Sequence, residues 1–225
     1  HSLAFLPDGR PHPGVVQGNL SGNPIHEDME EAAQIFLKDK TCVYAAVAAN
    51  GAGEIFDVRT GPLSSTFESA CKKLDQACCA PIREKGDFAL ISAGGHRTDR
   101  QLYQATKAVF NAVNAVREGG KILFTAAASD GVGNTAFESD LKAYKGRTRE
   151  IGARLLEEFN MISYVAFRVL DLLDRFEITL VSDFSKAETL DLGFKYADSL
   201  DDYVTGLTGK GYVIPFAENI LPIVE

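Results

Sequence analysis

The sequence predicts an α/β protein: a parallel-type sheet covered by helices, preceded by a helix–hairpin–helix segment from an incomplete N-terminal domain. Two observations carry this. From residue 86 onward, short apolar runs such as GDFALISA, KILFTAAAS and EITLVSD alternate with longer amphipathic stretches. Strands joined by helical crossovers pair in parallel, and a parallel sheet needs helices on its faces. Upstream, the pattern is one helix, two short strands around a glycine turn, and a second helix, too little to bury much core alone.

The elements follow in order. Residues 1–24 hold four of the eight prolines and read as an irregular segment, either continuing something upstream or wrapping a surface. A helix begins at Asn23-Pro24, with Glu27 and Asp28 near the positive end of its dipole, and runs through MEEAAQIFL. TCVYAAV and EIFDVRTG are strands joined by the hairpin turn NGAGE. Ser65 and Glu68 have capping-box spacing ahead of FESACKKLDQACC, and Pro81 stops that helix. After GDFALISA, Thr98 and Gln101 repeat the capping-box spacing and start QLYQATKAVFNAVNAVR, which Gly119-Gly120 end. KILFTAAAS leads into the glycine loop DGVGN, and Thr135 and Glu138 cap TAFESDLKAY. Residues 148–176 hold one or two helices, EITLVSD is a strand, and Ser185 with Glu188 caps another helix. SLDDYVTGL is helical, and GYVIPFAENILPIVE supplies the last strand. This divides the chain into residues 1–80, the end of an N-terminal domain, and residues 81–225, a C-terminal α/β domain.

Composition narrows the class. A net charge of −8 and the lack of a basic stripe argue against a nucleic-acid partner, while leaving room for a local anion site. The longest apolar runs, such as YVAFRVLDLL, are too short and too charged to span a bilayer, and no secretory signal opens the chain. The expectation is a cytoplasmic protein with no membrane partner. Cys42, Cys71, Cys78 and Cys79 form no CxxC pair and read as small buried residues in a reducing compartment.

Ligands of open α/β sheets gather at the carboxyl ends of strands. Two glycine loops qualify, GGHRTD after GDFALISA and ASDGVGN after KILFTAA, and each leads into a helix start that offers free N–H groups to an anion. Neither is a GxGxxG or Walker loop, and glycine at such turns is common for backbone reasons alone. On the helix that follows, Gln104 and Lys107 are three apart and Tyr103 and Lys107 four apart, so one sector carries an amide, a cation and a phenol. Such a group suits a carboxylate with its α-hydroxyl. The same spacing also describes an ordinary solvated helix face, and local geometry leaves both readings open. Of the four histidines, His96 beside the glycine pair is the pocket candidate and His26 reads as a surface residue. No HxH, HExxH or GxSxG pattern occurs, so neither a local metal site nor a serine hydrolase is indicated.

Taken together, GNLSGNPIHEDMEEAA, ISAGGHRTDRQLYQATKAV and EGGKILFTAAASDGVGN, with EITLVSDF and the closing GYVIP, resemble the nickel-pincer-dependent lactate racemase family of 2-hydroxyacid racemases and epimerases. The resemblance implies an isomerase acting on a small 2-hydroxy acid. It implies a nickel-pincer nucleotide cofactor of the pyridinium dithiocarboxylate type, covalently held by a lysine, with hydride passing between substrate Cα and cofactor. It makes Tyr103, Gln104 and Lys107 substrate-binding residues, adds Tyr164 where the family usually has tryptophan, places His96 beside them, and aligns His1 with the nickel ligand. The family's cofactor lysine and acid–base histidines match nothing here, since they precede His1. The resemblance therefore implies a C-terminal portion whose partner is the missing N-terminal half of the same protein, inactive alone. Two stretches depart from the pattern. GGHRTD carries His96 and Arg97 in place of tyrosine and proline, and TGPLSSTF puts Pro62 and Phe67 at polar positions. A change of substrate is expected at His96 and Arg97. The alternative is a non-enzymatic α/β domain that binds a small carboxylate.

Overall fold

The computed structural model of the chain describes residues 2–50 and 53–225, apart from the side chain of Asp202. The described residues fall into two compact units: Pro13–Cys79, and Ala80–Glu225 joined by residues up to His12.

In Pro13–Cys79, helix α1 spans Pro24–Leu37, with the Asn23 side chain accepting from the Ile25 and His26 N–H groups. Strands β1 (Tyr44–Ala49) and β2 (Ile55–Gly61) pair antiparallel, Val47 opposite Val58. The hairpin is closed by Glu54 N donating to Asn50 Oδ1 at 2.9 Å, while Gly51 and Ala52 of the expected turn lie outside the described residues. Helix α2 (Leu63–Cys78) starts one turn earlier than the capping-box spacing suggested: Pro62 precedes it without a side-chain cap, and Ser65 Oγ donates to Pro62 O instead. Pro62 stands at the N-cap, and its carbonyl accepts from Thr66 N at 3.0 Å, so the first helical bond forms there. Thr66 is the only buried residue among those described in this unit.

The second unit is built on a five-stranded, all-parallel sheet. Its strands are β4 (Gly86–Ser92), β5 (Val116–Thr125), β6 (Glu177–Val181), β7 (Lys195–Tyr196) and β8 (Gly211–Ile214), in the order β7-β6-β5-β4-β8. The fold class read from the sequence is therefore the one observed. Ile122, Leu123 and Phe124 of β5 are consecutive and fully buried, as a central strand covered on both faces requires. Three strands escaped the sequence reading: β3 (Cys79–Ile82), β7 and one of the two at the C-terminus. Strand β3, where Pro81 was expected to stop a helix, pairs with β9 (Leu221–Val224) in a separate two-stranded sheet. The C-terminal stretch thus contributes two strands, and the two-residue β7 lies at the sheet edge.

The covering helices are α3 (His96–Asp99), α4 (Leu102–Ala112), α5 (Thr135–Tyr144), α6 (Thr148–Glu157), α7 (Met161–Arg175), α8 (Lys186–Asp191) and α9 (Leu200–Val204). Helix α4 buries Leu102, Ala105, Thr106, Val109 and Ala112, a stripe at helical spacing against the sheet. It ends well before the expected Gly119-Gly120 cap, because those glycines belong to β5. A Cβ on Gly120 would fall 2.8 Å from both Arg117 O and Asp87 O, so the neighbouring strand, not a helix end, demands the glycine. Helix α5 is capped by Asn134, one residue before the expected Thr135. The Ser185–Glu188 capping box is present as read. The irregular opening segment packs rather than dangles: Phe5 meets Phe167 edge-on at 4.8 Å.

Candidate substrate-binding cleft

The chain visits β4, β5, β6 and β7 in sequence toward one edge, then returns to place β8 on the other side of β4. Ligand crevices in such sheets open beyond the strand ends where the order reverses, which points to the loop after β4. That loop turns through Gly94 (φ 101°) and Gly95 (φ 98°), both in the left-handed region that favours glycine. The single turn α3 follows at once. Thr98 Oγ1 donates back to Ala93 O at 2.5 Å, so this hydroxyl pins α3 to the strand end and does not cap α4, as its spacing had suggested.

The two glycine loops meet. Ala128 N donates to Asp99 O at 2.7 Å and Asp130 N to Arg100 O at 2.8 Å, while Arg100 and Asp130 form an ion pair at 2.6 Å. Ala128 sits at φ 52°, a strained angle for a residue with a Cβ that the surrounding bonds hold in place. Most important for ligand binding, Leu102 N donates to Gly131 O at 3.1 Å and Tyr103 N to Val132 O at 3.0 Å. The N-terminal donors of α4 are thus spent on the second loop. At α5 the Ala136 and Phe137 N–H groups are taken by Asn134 Oδ1. These helix starts, expected as anion sites, have these donors already occupied.

What remains is a cleft of roughly 270 Å³ lined by Arg97, Thr98, Arg100, Gln101, Gln104 and Asp130. Of the site residues expected from sequence, Gln104 lines it, together with Arg97. Lys107 is exposed one turn further along α4, and His96 is exposed at the start of α3. Tyr103 is half-buried and meets Phe137 edge-on at 5.2 Å, so its ring braces α4 against α5. Tyr164 lies in α7, in ring contact with Phe5, Phe159 and Phe167 at 5.8, 5.7 and 6.3 Å. It does not line the cleft. His1, aligned with a nickel ligand, lies outside the described residues. Thr98, Arg100, Gln101 and Asp130 were not singled out as lining residues. Their signal was the density of polar side chains in RTDRQ and SDG, which becomes a cleft only when the two loops join.

The two other departures lie in the Pro13–Cys79 unit. Pro62 precedes α2, and the Phe67 ring stacks on His26 at 5.6 Å beside a hollow of roughly 170 Å³ that Met29, Glu30 and Leu63 also line. The cysteines differ from expectation: Cys42 is exposed, and Cys71, Cys78 and Cys79 are only half-buried. Partial burial, reinforced by Asp75, pushes the last three thiols above their ordinary pKa, which keeps them protonated and weakly nucleophilic. Among the described residues, no three His, Cys, Asp or Glu side chains converge as a metal-holding group, and no helix is long and apolar enough to cross a membrane.

A crevice beyond the carboxyl ends of an open parallel sheet, lined by two arginines, two glutamines, a threonine and an aspartate, occupies the usual ligand position of an α/β domain. Residues 82–208 match the lactate racemase C-terminal domain, and the chain belongs to that family. Over 129 residues, 57% of this chain, it is 30% identical to the lactate racemase of Lactiplantibacillus plantarum. Over 126 residues it is 26% identical to the lactate racemase of Thermoanaerobacterium thermosaccharolyticum. The matched stretches span only 30% and 29% of those relatives. The fold is similar to that of the lactate racemase apoprotein from T. thermosaccharolyticum, with a TM-score of 0.84 and 22% identity over 94% of this chain and 52% of that one. It is less similar to a Thermotoga maritima protein, at a TM-score of 0.63 and 12% identity.

Proposed function

We propose that this chain is the C-terminal portion of a 2-hydroxyacid racemase or epimerase and supplies the substrate-binding wall of its active site. The observation that carries the reading is the family match over residues 82–208, which contains the cleft and all of α4. Gln104 offers both a donor and an acceptor to the α-hydroxyl, and Lys107 a cation to the carboxylate. Tyr103 holds α4 in place through Phe137.

Racemisation requires a Cα–H bond to break and re-form on either face. The nickel-pincer cofactor and hydride transfer implied by the resemblance would supply that chemistry. The described residues do not fit as its holder, since no metal-holding group converges among them. We therefore assign this chain binding and orientation, and place the cofactor anchor and acid–base groups in polypeptide outside it. Residues 1–80 belong, on this reading, to the end of the catalytic domain, and 81–225 to the C-terminal domain. The exposed Ile35, Phe36, Val47 and Val58 of the Pro13–Cys79 unit support this, as apolar positions that await cover.

The test co-produces the full-length protein with cofactor-synthesis enzymes, then measures bound nickel, a lysine adduct by mass spectrometry, and interconversion of 2-hydroxyacid enantiomers. Nickel, adduct and turnover in the full-length protein, with none in residues 1–225 alone, are expected. Turnover by residues 1–225 alone would refute the division of labour. Carboxylate binding without turnover by the full-length protein would favour the non-enzymatic binding domain.

A further inference from the structure

We propose that the cleft beside α3 receives the second carboxylate of a 2-hydroxy dicarboxylic acid, with Arg97 as its counter-ion. This narrows the substrate class and rests on the racemase reading above.

The argument is one of elimination among positive groups. The N–H groups of Leu102, Tyr103, Ala136 and Phe137 are already bonded, so the starts of α4 and α5 offer these donors to no anion. Charge in the cleft must come from side chains. Two arginines and one aspartate line it, and Arg100 is neutralised by Asp130 at 2.6 Å. The Arg97 side chain makes no ion pair or hydrogen bond among the described residues. It projects from a turn fixed by the Thr98–Ala93 bond, so its backbone is held although its guanidinium is exposed.

A second cation lies close to the cleft. Gln104 lines it with Arg97, and Lys107 follows one turn along α4, roughly 4.5 Å further along the axis. Arg97 and Gln104 in the cleft, with Lys107 three residues on from Gln104 along the same helix, put two cations and an amide on neighbouring surface. A 2-hydroxy dicarboxylate presents two anions on either side of a hydroxyl. A monocarboxylate such as lactate engages one cation and leaves the other hydrated. The planar guanidinium matches a carboxylate through paired hydrogen bonds, which gives Arg97 a discrimination that a lysine at that position would give less well.

The experiment uses the full-length holoenzyme, with malate and lactate as probes. Enantiomer interconversion is followed by chiral chromatography and binding by calorimetry. The wild type is expected to favour malate over lactate by tenfold or more in kcat/KM. Arg97→Gln should lower that ratio tenfold or more, mainly through KM for malate, and Arg97→Lys should recover part of it. A wild type that prefers lactate, or an unchanged ratio in Arg97→Gln, overturns the inference and leaves the racemase reading standing. Arg97-dependent malate binding without turnover upholds the cleft and overturns the racemase reading. Failure to bind or convert either acid overturns both.

Discussion

The two units of this chain use similar residues to opposite effect. In Ala80–Glu225, Phe124, Phe137, Phe167 and Phe194 are buried almost completely. In Pro13–Cys79, Phe36 is 66% exposed and Val43 is 80% exposed, although α1 and the β1–β2 hairpin are as regular as their counterparts. Capping and strand pairing therefore account for local structure in both units. Only the first has layers on both sides of its sheet. Regular secondary structure does not by itself imply a core, and apolar surface this extensive is open to a covering partner.

That contrast can be broken or sharpened by substitution. The largest effect is expected at the centre of β5, where Phe124→Ala should cost about 3–5 kcal/mol by denaturant unfolding. Next is Asn134→Ala, which frees the Ala136 and Phe137 N–H groups at the start of α5 and should cost about 1 kcal/mol by the same measurement. In the other unit, Val58→Ala should change the stability of residues 1–225 by less than about 0.5 kcal/mol, because the side chain is already largely in water. The same substitution in the full-length protein should cost several times more if this face is covered there. An equal effect in both would undo the comparison.

The smallest effect concerns pH. Asp87 accepts from Lys210 N at 2.9 Å and Arg117 Nε at 2.7 Å, and these bonds hold its carboxyl below the usual carboxylate range. The unfolded chain therefore takes up the proton first as pH falls. The contribution is whole above the unfolded pKa and fades as pH drops through the lower folded value. Asp87→Asn should flatten the acid limb of the stability curve and leave neutral pH less stable than wild type. An identical acid limb in the variant would count against this role.

Much of the sheet was legible because β4, β5 and β6 are apolar runs bounded by turn residues, and burial between helices demands that pattern. The Ser185–Glu188 cap was legible because both partners lie within one turn. Gly119-Gly120 misled because the same residues that end helices also sit where a neighbouring strand leaves no room for a Cβ. Thr98 misled because its hydroxyl is aimed backward at Ala93 O, a choice set by the tight turn at Gly94-Gly95. The motif around α4 was legible as a motif, but its members separate. Gln104 lines the cleft, Lys107 lies along the helix, and Tyr103 turns to Phe137.

By itself, then, the sequence determined the class of fold, the strands at its centre and the stretch that carries the cleft, since hydrophobic periodicity and turn chemistry are local. Only the tertiary structure decided which groups in that stretch stay available. The loop after β5 brings the Gly131 and Val132 carbonyls to the first donors of α4 from some thirty positions away. A buried N–H must find an acceptor wherever the chain can supply one, and no local pattern records which it takes. That contact closes the backbone site the glycines had suggested, and leaves Arg97 as the cleft's arginine without an ion pair among the described residues.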